Sequence, residues 1–294
     1  MSVLTRPARP SSSSSRRKPL NPTTGFTYLL LVLGAALFAM PLIIMITTSF
    51  KSHTEINSFP PTIIPNSWLP QNYPDAWNYQ STDFPRWTLN TIFILVATLP
   101  GVLLTSSMCA YGFARIKFPG RNLWFALVLA SIMLPPQVTL IPLYVLFQKL
   151  GWLDTFLPLI VPAWFGGGAL NIFLMRQFFL QIPVELDEAA MIDGASHLTI
   201  WWRIYLPLSR PVLVTVALLA TLAIWNDFFG PLIYLTTPAN YTLALGLNLF
   251  QGLFVSRIDY IMAISTLMVL PMILLFLFAQ RYIVQGFIAS GLKG

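Results

Sequence analysis

Six long stretches of apolar residues divide most of the chain, and they constrain its fold more than any other feature of the sequence. Each stretch exceeds the roughly 20 residues that a helix needs to cross the hydrocarbon core of a bilayer. Soluble domains carry about 25% charged residues, whereas this 294-residue chain is 9% charged and 56% hydrophobic. The sequence therefore predicts an all-α, polytopic membrane protein with six transmembrane helices, at 27–49, 87–114, 122–147, 156–181, 209–235 and 258–284.

The same pattern separates a tail from a transmembrane domain. Residues 1–25 are rich in proline, serine and basic residues, and they lack the apolar side chains that would offset the entropy lost on ordering. We expect them to form a disordered basic tail, and residues 26–294 to form one six-helix transmembrane domain. The first apolar stretch is too long for a signal peptide and lacks a small-residue cleavage site, so cleavage is not expected.

The basic residues are distributed unevenly between the two sides of the predicted bundle. Six spans place both termini on one side, which holds thirteen of the seventeen lysines and arginines. The other side holds Lys51, Arg86, Lys149 and Arg257. Because loops rich in basic residues stay in the cytoplasm, both termini are predicted to be cytoplasmic. Orientation in the membrane thus accounts for the net charge of +7, and no nucleic acid is expected as a partner.

The sequence lacks the motifs of the common enzyme and metal sites. It contains no G-x-x-x-x-G-K-[ST] phosphate loop, no G-x-S-x-G elbow and no H-E-x-x-H motif. Its two histidines, His53 and His197, have no second ligand at metal spacing. We therefore expect no catalytic residue, no metal and no cofactor bound by this chain. The single cysteine, Cys109, falls in an apolar stretch and is expected to be a buried thiol.

The segment between the fourth and fifth predicted spans, residues 182–211, is the most informative. Three carboxylates crowd the start of a predicted short helix, near the positive end of its dipole, and Gly194 is placed to end that helix in a left-handed turn. Ser196 can cap a second helix, which carries two tryptophans and several aliphatic residues. Leaving such a face in water costs about 25 cal/mol per Å². We expect this helix either to lie in the bilayer interface or to pack against a partner protein.

A spaced motif in this segment resembles the signature of one transporter family. The pattern is E-A-A, three residues, G, nine residues and I-x-L-P, and it is similar to the cytoplasmic loop of binding-protein-dependent ABC importer permeases. The resemblance implies that residues 183–207 form a coupling loop that docks into an ATPase subunit, with Glu188 in polar contacts and Gly194 at the turn. The residues implied in ATPase coupling are Glu188, Ala189, Ala190, Asp193, Gly194, Ile204, Leu206 and Pro207.

Other segments resemble the carbohydrate-uptake, maltose-type branch of that family, namely 133–155, 176–183, 225–235 and 285–294. The resemblance implies a permease subunit of the bacterial cytoplasmic membrane that forms half of a translocation pathway for a sugar. The implied partners are a second related permease, two ATPase subunits that bind ATP and Mg, an extracytoplasmic sugar-binding protein and membrane lipid. In this branch the end of the chain reaches the ATPase dimer.

Two alternatives to a sugar permease stay open at this point. Permeases for polyols or glycerol-phosphate-type substrates share similar sequences. An ion-coupled secondary transporter lies outside the family, but such proteins usually carry internal repeats and several charges at the membrane midplane. Here Asp227 stands nearly alone in the spans.

Two sets of polar residues are candidates for other contacts. Trp225, Asn226 and Asp227 lie in the fifth predicted span, and they are substrate-pathway candidates because an aromatic ring and hydrogen-bonding groups suit a sugar. The alternative for Asp227 is hydrogen bonding between helices. Segment 236–257 is predicted to lie outside the membrane and resembles the loop that reaches the binding protein. Its candidate contact residues are Asn240, Asn248 and Gln251.

Overall fold

The computed structural model describes residues 22–79, 82–253 and 257–291, and within these ranges the regular structure is helical, with no strand. The predicted all-α fold class is therefore confirmed. Short 3-10 turns at Ser131–Met133 and Pro238–Asn240 and a π-helical segment at Trp201–Tyr205 join the α-helices. The α-helices of the described residues are α1 (Pro22–Ser49), α2 (His53–Ile56), α3 (Asn72–Trp77), α4 (Phe84–Arg115), α5 (Arg121–Ala130), α6 (Pro136–Lys149), α7 (Leu157–Ile160), α8 (Ala163–Gly166), α9 (Ala169–Phe179), α10 (Glu185–Ile192), α11 (His197–Ile200), α12 (Leu206–Leu208), α13 (Arg210–Trp225), α14 (Phe229–Tyr234), α15 (Leu243–Leu253) and α16 (Ile258–Gly291).

The described helices include four candidate spans that can cross a membrane unaided. They lie in α1, α4, the α7–α9 series and α16, at Gly25–Ser49, Phe84–Arg115, Leu157–Phe179 and Ile258–Arg281. Two further pairs qualify only when their halves are joined. Arg121–Met133 and Gln137–Lys149 meet at a bend of 96°, and His197–Leu208 and Arg210–Trp225 meet at a bend of 81°. Six spans result if each bent pair is one span.

The two ends of the chain differ from the predicted boundaries. Residues up to Ile44 belong to one compact unit, and residues from Met45 belong to a second. α1 begins at Pro22, a residue whose fixed φ suits the first turn of a helix, so the last four residues of the predicted tail are helical. Residues 1–21 of that tail lie outside the described residues. α16 continues to Gly291, beyond the predicted end of the sixth span at 284.

Proline and glycine interrupt some predicted spans but not others. α1 and α4 run without a break through Pro41 and Pro100. The fourth span divides at Gly167 and Gly168, whose φ angles of 57° and 85° favour glycine. The predicted fifth span, 209–235, is wrong as one continuous helix, because α13 stops at Trp225 and the last ten predicted residues lie beyond it. The Asp227 carboxylate accepts the backbone N–H of Gly230 at 3.1 Å and starts a separate helix, α14.

α4 is the central element of the second unit, since it packs against α8, α9, α13 and α15. Two buried apolar clusters lie toward its opposite ends. The carboxyl-end cluster includes Ala110, Tyr111, Met175, Phe179, Ile200, Trp201 and Tyr205. The amino-end cluster includes Phe84, Trp87, Trp225, Phe250, Tyr260 and Ile264. Cys109 is exposed rather than buried, because it lies on the face of α4 that turns away from the buried Ala110.

The break in the fourth span lies directly against α4. The hydroxyl of Thr105 donates to the Ala163 carbonyl at 3.1 Å, and the indole N–H of Trp164 donates to the Ala97 carbonyl at 3.0 Å. A Cβ atom on Gly167 would lie 2.5 Å from the backbone nitrogen of Ser106. Only a residue without a side chain fits at this crossing, and the α8–α9 junction is fixed on α4 as a result.

This crossing predicts a difference between two glycines of similar backbone conformation. Gly167→Ala should lower the free energy of unfolding by about 1–3 kcal/mol more than Gly151→Ala, the usual cost of overpacking, because the added methyl group meets the α4 backbone. Gly151→Ala is the matched control, since Gly151 has a similar φ of 69° and nothing lies within 4 Å of its Cβ position. Thermal unfolding of both purified variants in detergent provides the measurement. Equal melting temperatures would contradict the close approach.

Candidate functional site

The segment between the fourth and fifth spans folds as two short helices joined by a tight turn, as predicted. α10 ends at Ile192, and Gly194 follows two residues later with a φ of 82°. The Gly194 N–H donates to the Met191 carbonyl at 3.0 Å, and the Ala195 N–H donates to the Ala190 carbonyl at 2.9 Å. These two bonds form the glycine-based helix stop known as a Schellman motif. Ser196 then caps α11 by accepting the N–H of Thr199.

We call residues 183–207 the docking loop, after the role that the sequence predicts for them. The motif residues of this loop lie on two faces. Ala190, Ile204 and Leu206 are half-buried and pack on the carboxyl-end cluster. Glu188 and Gly194 are exposed. Ala189, Asp193 and Pro207 are also exposed. The motif thus includes both the residues that hold the loop in place and residues open to a partner.

The exposed face of the docking loop is strongly apolar. Ile192 is 87% exposed, Leu198 is 62% exposed and Trp202 is 57% exposed. Water around such side chains is unfavourable. Within the described residues of the second unit, more than half of each of these side chains is uncovered. This face can therefore meet either lipid or a protein surface.

A buried polar group anchors the other face of the loop. The Asp187 side chain is only 6% exposed, and its Oδ2 accepts the hydroxyl of the fully buried Tyr205 at 2.9 Å. Arg115 Nε, at the end of α4, lies 3.5 Å from the same oxygen. Arg115 Nη2 also donates to the carbonyl of Phe179 at 2.8 Å and to that of Ile182. We call Asp187, Arg115 and Tyr205 the loop anchor.

Aromatic rings surround the loop anchor. The Tyr205 ring meets the Tyr111 and Phe179 rings edge-on, at centroid distances of 4.9 and 5.2 Å. The Tyr111 hydroxyl lies 3.2 Å from Nδ1 of His197 at the start of α11. A cavity of about 500 Å³ opens beside the anchor, between the basic loop that includes Lys117 and Arg121 and the acidic start of α10.

Sequence reasoning missed the anchor. It assigned Asp187 only to the helix dipole and Arg115 only to membrane orientation. The only local signal for the anchor was the position of Asp187 on its helix relative to Glu188. Asp187 precedes Glu188 by one residue, about 100° around a helix, so the two carboxylates cannot face the same way. That offset allows one buried and one exposed carboxylate, but the pairing of Asp187 with Arg115 and Tyr205 has no local pattern in the sequence.

The substrate-pathway candidates lie at the break after α13 and differ in exposure. Trp225 is 4% exposed, and its indole N–H donates to the Met268 carbonyl of α16 at 3.1 Å. Asn226 is exposed, with its amide on the Leu222 carbonyl at 2.8 Å. Asp227 is half-buried and holds the N–H of Gly230. The structure brings the three together as neighbours, but only Asn226 presents an open polar group.

A second polar cluster lies near the other end of α4. Asp154 follows α6 with a φ of 59°, and its Oδ1 accepts the N–H groups of Thr236 and Thr237 at 3.0 and 2.9 Å. Its Oδ2 accepts the Thr237 hydroxyl, and its carbonyl accepts the amide of Asn240 at 2.9 Å. The Asp154 N–H donates to the Tyr234 carbonyl at 2.8 Å. We call this arrangement the Asp154 clasp.

Segment 236–253 is also fixed on the start of α4. The Trp87 indole N–H donates to the Pro238 carbonyl at 2.8 Å, and the Asn90 amide donates to the Tyr241 carbonyl at 2.9 Å. Of the predicted binding-protein contacts, Asn240 is used by the clasp. Asn248 and Gln251 are exposed on α15. Sequence reasoning did not identify Asp154 or the α4 contacts of this segment.

Comparisons with known proteins identify the family. A family profile described as the binding-protein-dependent transport system inner membrane component matches residues 101–288. An arabinooligosaccharide transport permease of Halalkalibacterium halodurans is 33% identical, with 92% of this chain and 95% of that protein covered. The trehalose/maltose transport permease of Thermococcus litoralis is 36% identical, with 90% and 97% covered. A diacetylchitobiose uptake permease of Streptomyces coelicolor is 32% identical, with 97% and 92% covered.

A solved structure shares the fold. A chain of a bacterial ABC transporter involved in the import of the acidic polysaccharide alginate superposes with a TM-score of 0.76 and 24% sequence identity. The match covers 94% of this chain and 100% of that chain. The architecture of the described helices is therefore that of a known transporter subunit.

The Asp154 clasp predicts a pH-dependent contribution to stability. The hydrogen bonds from the Thr237 hydroxyl, from the Thr237 and Thr236 N–H groups and from Asn240 hold the pKa of Asp154 well below its usual range. A carboxyl whose pKa is lowered on folding stabilises the protein above its unfolded pKa of about 3.9, and this contribution is lost as the pH falls through the folded pKa. Asp154→Asn should therefore melt below the unaltered protein at neutral pH.

The difference between the two melting temperatures should stay constant from about pH 8 to pH 5 and shrink in stronger acid, because only the unaltered carboxyl can be protonated. Asp75→Asn is the control, because that exposed carboxylate accepts only the amide of Gln71. A difference that does not change with pH would contradict the role assigned to the Asp154 charge.

Proposed function

Since the chain belongs to the family of binding-protein-dependent transport system inner membrane components, we propose that it is the permease subunit through which an ABC importer takes up a sugar. The family supplies a membrane transport component rather than an enzyme, and ATP is used by the partner ATPase subunits. The relatives are named for the transport of arabinooligosaccharides, of trehalose or maltose, and of diacetylchitobiose. An oligosaccharide or related glycoside is therefore the substrate class we assign, with a polyol or glycerol-phosphate-type substrate as the alternative.

The exposed apolar face of the docking loop is the observation that carries this proposal. Leu198 and Trp202 lie four residues apart on one side of the second helix, Ile192 lies one turn after Glu188 on α10, and the motif that resembles the family signature runs through the same segment. A helix-sized projection of this kind suits a groove in a partner protein. We assign that groove to the ATPase subunit. The exposed rim of the projection consists of Glu188, Ala189, Asp193, Gly194 and Pro207. The projection is packed on the bundle through Ala190, Ile204 and Leu206.

The proposed assembly follows the family pattern. The chain pairs with a second related permease, two ATPase subunits and an extracytoplasmic sugar-binding protein. Both termini and the docking loop are assigned to the cytoplasm, which is supported by the basic residues Arg115, Lys117 and Arg121 beside the loop. Segment 236–253, toward the other end of α4, then faces the binding protein, with Asn248 and Gln251 on its exposed side.

The proposed mechanism is alternating access driven by two coupled sites. A loaded binding protein docks outside, the ATPases close inside, and the docking loop transmits that closure to the helices. Such coupling is a free energy shared between distant sites, so each site must affect the other. ATP hydrolysis by the complex should therefore respond to the loaded binding protein.

The docking role predicts uncoupling by Glu188→Ala and by Gly194→Pro. The first change removes an exposed carboxylate, and the second is incompatible with the φ of 82° that makes the turn. Both variants should insert in the membrane but lose most ATP-driven sugar uptake in proteoliposomes. Gly120→Pro is the control, because Gly120 has a similar φ of 75° outside the docking loop. Retained uptake in both docking-loop variants would reject the assignment.

We further propose that Asn226 contacts the substrate, while Trp225 and Asp227 hold the helix break in shape. Asn226→Ala should raise the apparent KM for uptake by about 2- to 10-fold, the cost of one hydrogen bond. Asn78→Ala is a matched control, because Asn78 is also exposed and also bonds the carbonyl four residues earlier. An unchanged KM in Asn226→Ala would remove this residue from the pathway.

A further inference from the structure

The docking loop needs a rigid connection to the membrane helices if it is to move them. Its exposed side touches the partner, so the connection must lie on its buried side. The loop anchor occupies that side, with Asp187 of α10 in contact with both Tyr205 and Arg115. Asp187 and Tyr205 belong to the two helical parts of the loop, and Arg115 belongs to α4.

The anchor joins the ends of several spans at one point. Arg115 is the last residue of α4, and its guanidinium also holds the carbonyls of Phe179 and Ile182, where α9 ends. Tyr205 ends the π-helical segment that leads into the bend before α13. A displacement of α10 therefore pulls on α4, on α9 and on the start of the fifth span.

The chemistry of the anchor favours a contact that does not slip. A buried carboxylate that loses its partners leaves an uncompensated charge, which is strongly unfavourable. Apolar side chains alone can slide past each other more easily, because their attraction has no preferred direction. The hydrogen bond from Tyr205 and the ion pair with Arg115 hold Asp187 in one orientation, and the rings of Tyr111 and Phe179 pack edge-on against Tyr205.

We propose that Asp187, Arg115 and Tyr205 are positioning residues that make the docking loop move as one body with the ends of α4, α9 and α13. The inference rests on the proposed function and deepens it, since it names the residues that carry the push of the ATPase into three spans at once. The anchor touches neither ATP nor sugar. Its loss therefore leaves ATPase binding intact and breaks the transfer of motion.

Tyr205→Phe tests this with the smallest change, because it deletes the hydroxyl that Asp187 accepts and keeps the packed ring. Tyr111→Phe is the matched control. It also deletes one hydroxyl of the same aromatic group, and that hydroxyl joins α4 to His197 of the docking loop without contacting Asp187, so it tests whether the Asp187 contact is the one that matters. Asp187→Asn is a second variant, which removes the charge that faces Arg115. Each is assembled with its ATPase, sister permease and binding-protein partners in proteoliposomes.

Four quantities separate positioning from stability: ATPase co-purification, the melting temperature of the complex, the stimulation of ATP hydrolysis by the loaded binding protein, and the ATP hydrolysed per sugar imported. In Tyr205→Phe we expect normal co-purification and a melting temperature close to that of Tyr111→Phe. We expect stimulation of hydrolysis by the loaded binding protein to fall at least about fivefold, the lower end of typical coupling between sites. The ATP used per sugar should rise in Tyr205→Phe and Asp187→Asn and stay normal in Tyr111→Phe.

Normal stimulation and normal ATP use per sugar in Tyr205→Phe would overturn the inference and leave the proposed function standing. Equal loss in Tyr205→Phe and Tyr111→Phe would also overturn it, since general packing of the aromatic group would then account for both. Failure of the unaltered chain to bind an ATPase subunit would overturn the proposed function itself, and the inference with it.

Discussion

In a bilayer, the backbone of this chain must satisfy its own polar groups, because the hydrocarbon core offers no water to do so. Helices meet that demand within each segment, and the places where a helix stops must find other partners for the freed groups. At Gly167 the backbone packs directly on α4. After Trp225 the carboxylate of Asp227 accepts the N–H of Gly230 and starts the next helix. Each break is thus also a place where segments are fixed to each other.

In the proposed function, the docking loop meets two demands within one short segment. A surface that binds a partner must expose apolar groups, while a surface that transmits motion must be firmly attached. Two residues of α10 meet these demands from different positions on the helix. Ile192 is exposed to a partner, and Asp187 is buried against the bundle. The glycine stop at Gly194 allows the chain to reverse, so that Tyr205 returns to the same helix. The family motif therefore describes a shape as much as a set of contacts.

Much of this fold could be predicted from the sequence, because lipid imposes simple rules of length and hydropathy. The turn at Gly194 and the cap at Ser196 were predictable from local chemistry alone. The stop at residue 225 was not, because hydropathy continues through 228–235 and the Asp227–Gly230 bond at the start of the next helix has no periodic signal. The loop anchor and the Asp154 clasp join residues far apart in the chain, and neither has a periodic signal.

In the proposed mechanism, the continuity of α4 determines how motion passes from one side of the membrane to the other. It is one unbroken helix of 32 residues even though Pro100 lies within it. Near its start, Trp87 and Asn90 form hydrogen bonds with segment 236–241, and its last residue, Arg115, forms an ion pair with Asp187. At about 1.5 Å of rise per residue, these two contact points lie roughly 40 Å apart along the helix. In the proposed mechanism, α4 is thus a continuous helix held by another segment near each end, and it carries a tilt from one end of the bundle to the other.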